Sequence, residues 1–296
     1  MKVETLTNCP VCKGTHFSSY LVCKDYTVSQ EMFSLVKCTS CGFIFTNPRP
    51  TETEIGSYYQ SNEYISHSNT KQGLIAQVYH TVRKITLKSK LKLINRLHPT
   101  KGTLLDIGCG TGMFLSVCKE NGWNVSGVEP DSGARKLAED TTKSHIESSI
   151  LEYFQNQKFS IVTMWHVLEH VHRLEETIDW LYNRIDTNGH LIIAVPNLES
   201  KDAQVYQQYW AAYDVPRHLY HFSQVTISEL FLQKGFVLSE TLPMPFDSFY
   251  VSMLSTKYRD GKTNYIEAIQ QGLASNIWAK QNHKNYSSLI YVFKKR

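Results

Sequence analysis

The strongest constraint on this chain is the segment Leu104-Leu-Asp-Ile-Gly-Cys-Gly-Thr-Gly112. Residues 103–107 read as a buried strand, and the residues from Gly112 to Asn121 read as a helix. A glycine-rich turn between a strand and a helix presents backbone N–H groups to a ligand. The glycines at 108, 110 and 112 are one residue too tight for the Gly-x-Gly-x-x-Gly dinucleotide pattern. They suit a loop lying flat against a ligand without phosphates. The next strand, 124–129, ends at Glu129, where a carboxylate can accept from both hydroxyls of a ribose.

Alternation continues from there. Asp131 caps a helix, residues 159–165 and 189–195 are near-continuous apolar strands, and a helical segment at 173–185 separates them. Such alternation implies a parallel sheet covered on both faces, with ligands beyond the carboxyl ends of its strands. Residues 235–240 and 287–293 read as final strands, the last antiparallel, with helices around 250–254 and 265–278 between them.

On these motifs, residues from about 75 to 296 resemble the class I S-adenosylmethionine-dependent methyltransferases. The segment 104–112 matches their glycine loop, Val128-Glu-Pro-Asp131 their ribose-binding strand end, and Gly189 to Asn197 their fifth strand. Ser160 departs from the Asp usual before the fourth strand. The resemblance implies an α/β fold with a Rossmann-like, seven-stranded, doubly wound sheet. It also implies S-adenosylmethionine as cofactor. Asp106 and the loop residues Gly108, Cys109, Gly110, Thr111 and Gly112 would hold its methionine portion. Glu129 and Pro130 would meet the ribose, Ile150 and Leu151 would flank the adenine, and Trp165 and His166 would border the transferable methyl.

A second pattern lies upstream. Cys9 and Cys12 form one Cys-x-x-Cys pair, Cys38 and Cys41 another, each followed by a glycine. Two such pairs bring four thiolates to one tetrahedral centre, which leaves no position for substrate and makes the metal a structural zinc. Short strands at 17–22 and 33–36 complete the likeness to a zinc ribbon. The expected organisation is therefore a zinc-ribbon module at 1–50, a helical linker or lid at 51–98 and a methyltransferase domain at 99–296. In the linker, Tyr58, Tyr59, Tyr64 and His67 could form a flap, and 74–97 is an amphipathic helix whose Lys/Arg residues are its wet face.

His166-Val-Leu-Glu-His170 matches a metallopeptidase pattern, but that chemistry needs both histidines on one helical face. His166 follows directly on a strand, so the rings are expected to diverge. The densest polar and aromatic cluster runs from Tyr209 to Phe222. With His166 it supplies the candidate catalytic groups: His218 and His221 as bases, Tyr213 and Arg217 as orienting groups.

The arrangement also resembles bacterial methyltransferases with an N-terminal zinc-binding segment that act on nucleotide-linked sugars or secondary metabolites. The expected activity is methyl transfer to a small-molecule acceptor; the alternative is an rRNA or tRNA methyltransferase gripping RNA through its ribbon. A net charge of +4 over 296 residues is small for a nucleic-acid binder. The alternative needs Lys13, Lys24, Lys37 and Arg49 to line one basic track. No apolar run reaches membrane-span length, no signal-peptide stretch opens the chain, and the cysteine count is odd, so a cytoplasmic location is expected.

Overall fold

The computed structural model describes residues 2–59 and 74–296, with the side chains of 74–79 outside the description; the expected flap residues Tyr64 and His67 lie outside it as well. The N-terminal strands are β1 (Val3–Glu4), β2 (Phe17–Lys24), β3 (Met32–Cys38), β4 (Ile44–Thr46) and β5 (Arg49–Pro50). β2 and β3 form a hairpin from Phe17↔Cys38 to Lys24↔Met32. Its turn is set by Asp25, whose carboxylate accepts from the N–H groups of Thr27 (3.0 Å), Val28 (3.2 Å) and Ser29 (2.8 Å).

After the ribbon comes one unbroken helix, α1 (Leu74–Leu97). The central sheet then develops as β6 (Thr103–Ile107), α2 (Met113–Glu120), β7 (Asn124–Val128), α3 (Ser132–Thr142), β8 (Phe159–Trp165), α4 (Leu174–Arg184) and β9 (Ile185–Pro196). The chain continues through α5 (Lys201–Tyr206), β10 (Tyr220–His221), α6 (Gln224–Gln233), β11 (Phe236–Pro243), α7 (Asp247–Asp260), α8 (Tyr265–Gln281) and β12 (Ser288–Lys295). Asp131 caps α3 as expected, accepting from the Ala134 N–H at 2.7 Å.

The sheet order is β11-β12-β9-β8-β6-β7, parallel from β7 to β9, with β12 antiparallel to both of its neighbours. Among the described residues six strands pair in this sheet where seven were expected. The missing edge strand is reduced to a single bridge, Val128↔Glu147. Between Lys143 and Ser149 only Ile146 offers an apolar side chain, and it is fully buried, so one anchor replaces a ladder.

The ribbon's sheet also extends along the chain. β10, far along the chain, pairs with β4, so the N-terminal sheet reads β10-β4-β3-β2 and draws a strand from beyond residue 200. Phe43 and Phe45 share one core cluster with Leu105, Phe159, Tyr220 and Phe222. The ribbon therefore packs directly on the central sheet's core.

Candidate functional site

The glycine loop leaves β6 where the strand order reverses, the place at which open α/β sheets bind ligands. Gly108 (φ 70°), Gly110 (φ 56°) and Gly112 (φ 76°) are left-handed, a conformation costing other residues about 1–2 kcal/mol. The three are not equivalent. A Cβ on Gly108 would meet Val167 Cγ2 at 2.4 Å, and one on Gly112 would meet Ala138 Cα at 2.9 Å. Gly110 has nothing within 4 Å. The outer glycines serve packing, and the middle one keeps a face of the loop clear.

Glu129 stands across from that face. Its Oε2 accepts from the Gly110 N–H at 2.8 Å and its Oε1 from the Asp131 N–H at 3.0 Å. A carboxylate has about four acceptor positions, so two backbone bonds leave room for two hydroxyl donors. Burial raises its pKa, although both N–H groups resist. Arg135 fixes the strand end by donating to the Glu129 (2.7 Å) and Pro130 (3.0 Å) carbonyls. The Gly108 and Cys109 N–H groups both bond the Val128 carbonyl, and Gly112 bonds back to Cys109, so the loop is braced before any ligand arrives. Ile150 and Leu151 form a half-buried turn beyond the Val128–Glu147 bridge.

Beneath the loop, Asp106 is buried and accepts from Thr163 Oγ1 at 2.6 Å; burial pushes its carboxyl up to about 7. Trp165 ends β8 with its ring edge-on to Phe114, and its Nε1 is buried with no hydrogen-bond partner among the described residues. Lys90 corrects the reading of α1. Its ammonium lies 4.0 Å from the Trp165 ring centroid. Burial lowers its pKa to about 8, resisted by Asp106 and Asp247. Lys90 follows Leu87 and precedes Ile94 on the inner stripe, so it faces the sheet and not water.

His166, left-handed at φ 57°, sits between two carboxylates: Nε2 is 3.1 Å from Asp247 Oδ2, and Nδ1 is 3.3 Å from Glu169 Oε1. Burial disfavours its charge, but the Asp247 and Glu169 carboxylates outweigh it and push the pKa up to about 10. A short 3-10 turn at Leu168–His170 stands where the metallopeptidase pattern requires one helix carrying both histidines. His218 comes in beside His170, with ring centroids 4.6 Å apart.

Tyr213 and His221 lie elsewhere, in the junction with the ribbon. His221 pairs with Ile44 in the strand ladder, and its Nε2 is 3.3 Å from Thr46 Oγ1. Burial takes its pKa well below the ordinary imidazole range. Tyr213 is buried against Trp210, and burial raises its phenol strongly. Arg217 is 1% exposed, bonded to Asp25 (3.0 Å), to Asp214 (2.7 Å) and to the Tyr58 carbonyl (2.9 Å). It therefore ties the ribbon's turn to the loop and has no free donor fork for a substrate anion. The cavity lined by Trp210, Tyr213, Arg217 and Tyr258 encloses about 10 Å³, room for a single water.

The four ribbon cysteines converge as the spacing required. Cys9 Sγ is 3.6 Å from Cys41 Sγ, Cys12 Sγ is 3.5 Å from Cys38 Sγ, and all four sulfurs lie within 4.8 Å of one another. A tetrahedral centre with metal–sulfur bonds of about 2.3 Å would separate its sulfurs by about 3.8 Å. Gly42 (φ 77°) turns the second pair, but Lys13 (φ 64°) turns the first. Gly14 is needed for space, because a Cβ there would meet Cys12 Sγ at 3.3 Å and Cys38 Sγ at 3.4 Å.

A mostly parallel sheet with an antiparallel β12, and an acid-closed glycine loop at the switch point, define the class I methyltransferase fold. The methyltransferase-domain family model matches residues 79–241, more than half of the chain, and the chain belongs to that family. A ubiquinone biosynthesis O-methyltransferase of Rickettsia canadensis is 24% identical over 200 residues, covering 62% of this chain and 84% of that protein. Its counterpart in Rickettsia akari is 27% identical over 149 residues, covering 47% of this chain and only 59% of that protein. Among solved structures, magnesium protoporphyrin IX methyltransferase from Synechocystis, with bound S-adenosylhomocysteine, superposes with a TM-score of 0.55 at 13% identity. That superposition covers 83% of this chain and 100% of that one. Among the described residues no helix is long and apolar enough to cross a membrane.

Proposed function

We propose that this chain transfers a methyl group from S-adenosylmethionine to a small-molecule acceptor. The observation that carries this reading is the clear face of Gly110 closed by the Glu129 carboxylate. When bound, the cofactor supplies an electrophilic methyl carbon. Glu129 accepts from its ribose hydroxyls, the loop from Gly108 to Gly112 lies along its methionine portion, and Ile150 with Leu151 provides the apolar wall for its base. The orphaned Trp165 N–H, with the inward Lys90 ammonium over its ring, is a polar group available to a ligand at that strand end. Asp106 braces the loop from below. His166, clasped by Asp247 and Glu169, is brought beside the loop by its neighbour Val167, which packs on Gly108. It orients the acceptor, and alignment of the acceptor with the methyl carbon supplies most of the rate. His218 belongs to the same centre, whereas Tyr213 and His221 hold the ribbon in place.

We further propose that Cys9, Cys12, Cys38 and Cys41 hold a structural zinc, in a module of residues 1–50 joined through 51–98 to the methyltransferase body. Seven free thiols suit a reducing, cytoplasmic location. The RNA-gripping alternative is not favoured: Arg49 is buried on Glu4 and Tyr220, and Lys13 is paired with Glu175, which breaks the basic track. The names of the curated relatives point to small molecules, and they support an acceptor of that kind here. The test is calorimetry with S-adenosylhomocysteine on wild type and Glu129→Ala. Binding lost in the variant, with its melting curve still cooperative, supports the reading; equal affinities would refute the ribose assignment.

A further inference from the structure

Glu169 is wholly buried, and apart from the ion-pair contact with His166 neither of its carboxylate oxygens has a hydrogen-bond partner among the described residues. Leaving a buried charge in this state is costly and calls for an explanation. His166, with its Nδ1 3.3 Å from Oε1, offsets part of that charge and is itself shared with Asp247. His170 and His218 face the same point: one ligand atom from each, with a Glu169 oxygen, lie within 4.8 Å of one another.

The two imidazoles are oriented alike. Nδ1 of His170 is 3.1 Å from the Arg217 carbonyl and 2.9 Å from the Tyr59 hydroxyl, and Nδ1 of His218 is 2.8 Å from the Ala212 carbonyl. A carbonyl can only accept, so each of these contacts needs the proton on Nδ1, the Tyr59 hydroxyl also accepting from His170, and each Nε2 is then left with its lone pair. Metal-binding histidines are held in this way, with the second nitrogen bonded to a backbone carbonyl. Asp214 Oδ2, 3.9 Å from His218 Nε2, is committed to Arg217 at 3.0 Å.

We propose that Glu169, His170 and His218 form a second metal site, separate from the four cysteines, for a divalent transition ion of the zinc class. Two imidazoles and one carboxylate suit zinc, iron(II) or cobalt(II) rather than magnesium or calcium. Three protein ligands leave a coordination position open, as in catalytic rather than structural zinc sites. That position is available to water or to an acceptor oxygen. The His-x-x-Glu-His pattern is thus half used: its Glu and second His bind, and the partner histidine comes from the 209–222 loop in place of His166.

The test is metal content and cobalt spectroscopy on the full chain, stripped with chelator and reloaded with Co2+. Two equivalents are expected in wild type. One should show intense thiolate-to-cobalt charge transfer, and the other only weak ligand-field bands of nitrogen and oxygen coordination. Glu169→Gln, which keeps the buried shape, and His218→Gln should each lose the second equivalent and keep the thiolate band, which also reports an intact ribbon. A wild-type protein that takes up one equivalent only, all of it thiolate-bound, overturns the site. So do variants that still bind two. S-adenosylhomocysteine binding reports separately on the proposed function.

Discussion

Alanine at two neighbouring glycines should separate packing from ligand contact. At Gly108 the left-handed backbone costs about 1–2 kcal/mol, and the new methyl would stand 2.4 Å from Val167 Cγ2, adding about 1–3 kcal/mol of overpacking. The total for Gly108→Ala is about 2–5 kcal/mol of stability. At Gly110 only the backbone cost applies, about 1–2 kcal/mol, because no atom lies within 4 Å of the added methyl. For a chain of this size each kcal/mol lowers Tm by about 2–4 °C. Gly110→Ala should therefore melt only a few degrees early, but its methyl projects from the clear loop face. Calorimetry should show at least about a tenfold loss of S-adenosylhomocysteine affinity, equivalent to about 1.4 kcal/mol. Thermal melts and titrations on both variants decide the matter. If Gly110→Ala binds like wild type, that face does not carry the cofactor, and the reasoning from its emptiness is wrong.

Three further outcomes follow from the same coordinates. Cys38→Ser with Cys41→Ser should release the ribbon zinc and expose residues 1–50 to proteolysis; full metal retention in the thiolate site would contradict the four-sulfur reading. Arg217→Met leaves Asp25 and Asp214 without their buried cation and should cost about 3–5 kcal/mol in urea unfolding at neutral pH. Burial alone would raise the Asp25 pKa, but the Ser29 N–H and Arg217 outweigh it and hold it at about 2. This stabilisation is present above pH ~4 and is lost as the pH falls through about 2, so the wild-type advantage should shrink over that window. A variant within 1 kcal/mol of wild type at pH ~7 would show that the network is not a tie. Lys90, labelled on its side chain and followed by NMR in the ligand-free protein, should titrate near 8; a midpoint above about 10 would mean that the ammonium faces water.

The readings that rest on short spacing and those that rest on long-range contact fare differently. The Asp106–Gly112 loop, Glu129 and the Cys-x-x-Cys pairs are legible because a few consecutive residues fix both their chemistry and their geometry. Lys90 is hidden because charge marks a residue as wet, while only the helix register shows that position 90 belongs to the inner stripe with Leu87 and Ile94. His221 and Tyr213 look catalytic in a list of rings and imidazoles. Their place depends on β10 pairing with β4 across more than 170 residues, a contact that no local pattern announces. Arg217 is the same case, since its partner Asp25 lies 192 residues away. The lost edge strand was inferable in principle from the single apolar residue, Ile146, between Lys143 and Ser149.

A crystal structure of the chain with S-adenosylhomocysteine bound puts the whole account at risk in one measurement. The account predicts ribose hydroxyls within hydrogen-bonding distance of Glu129, the ligand's backbone portion along Gly108–Gly112, and its base against Ile150 and Leu151. Density for the nucleoside anywhere else, or saturating ligand with an empty loop, would contradict it.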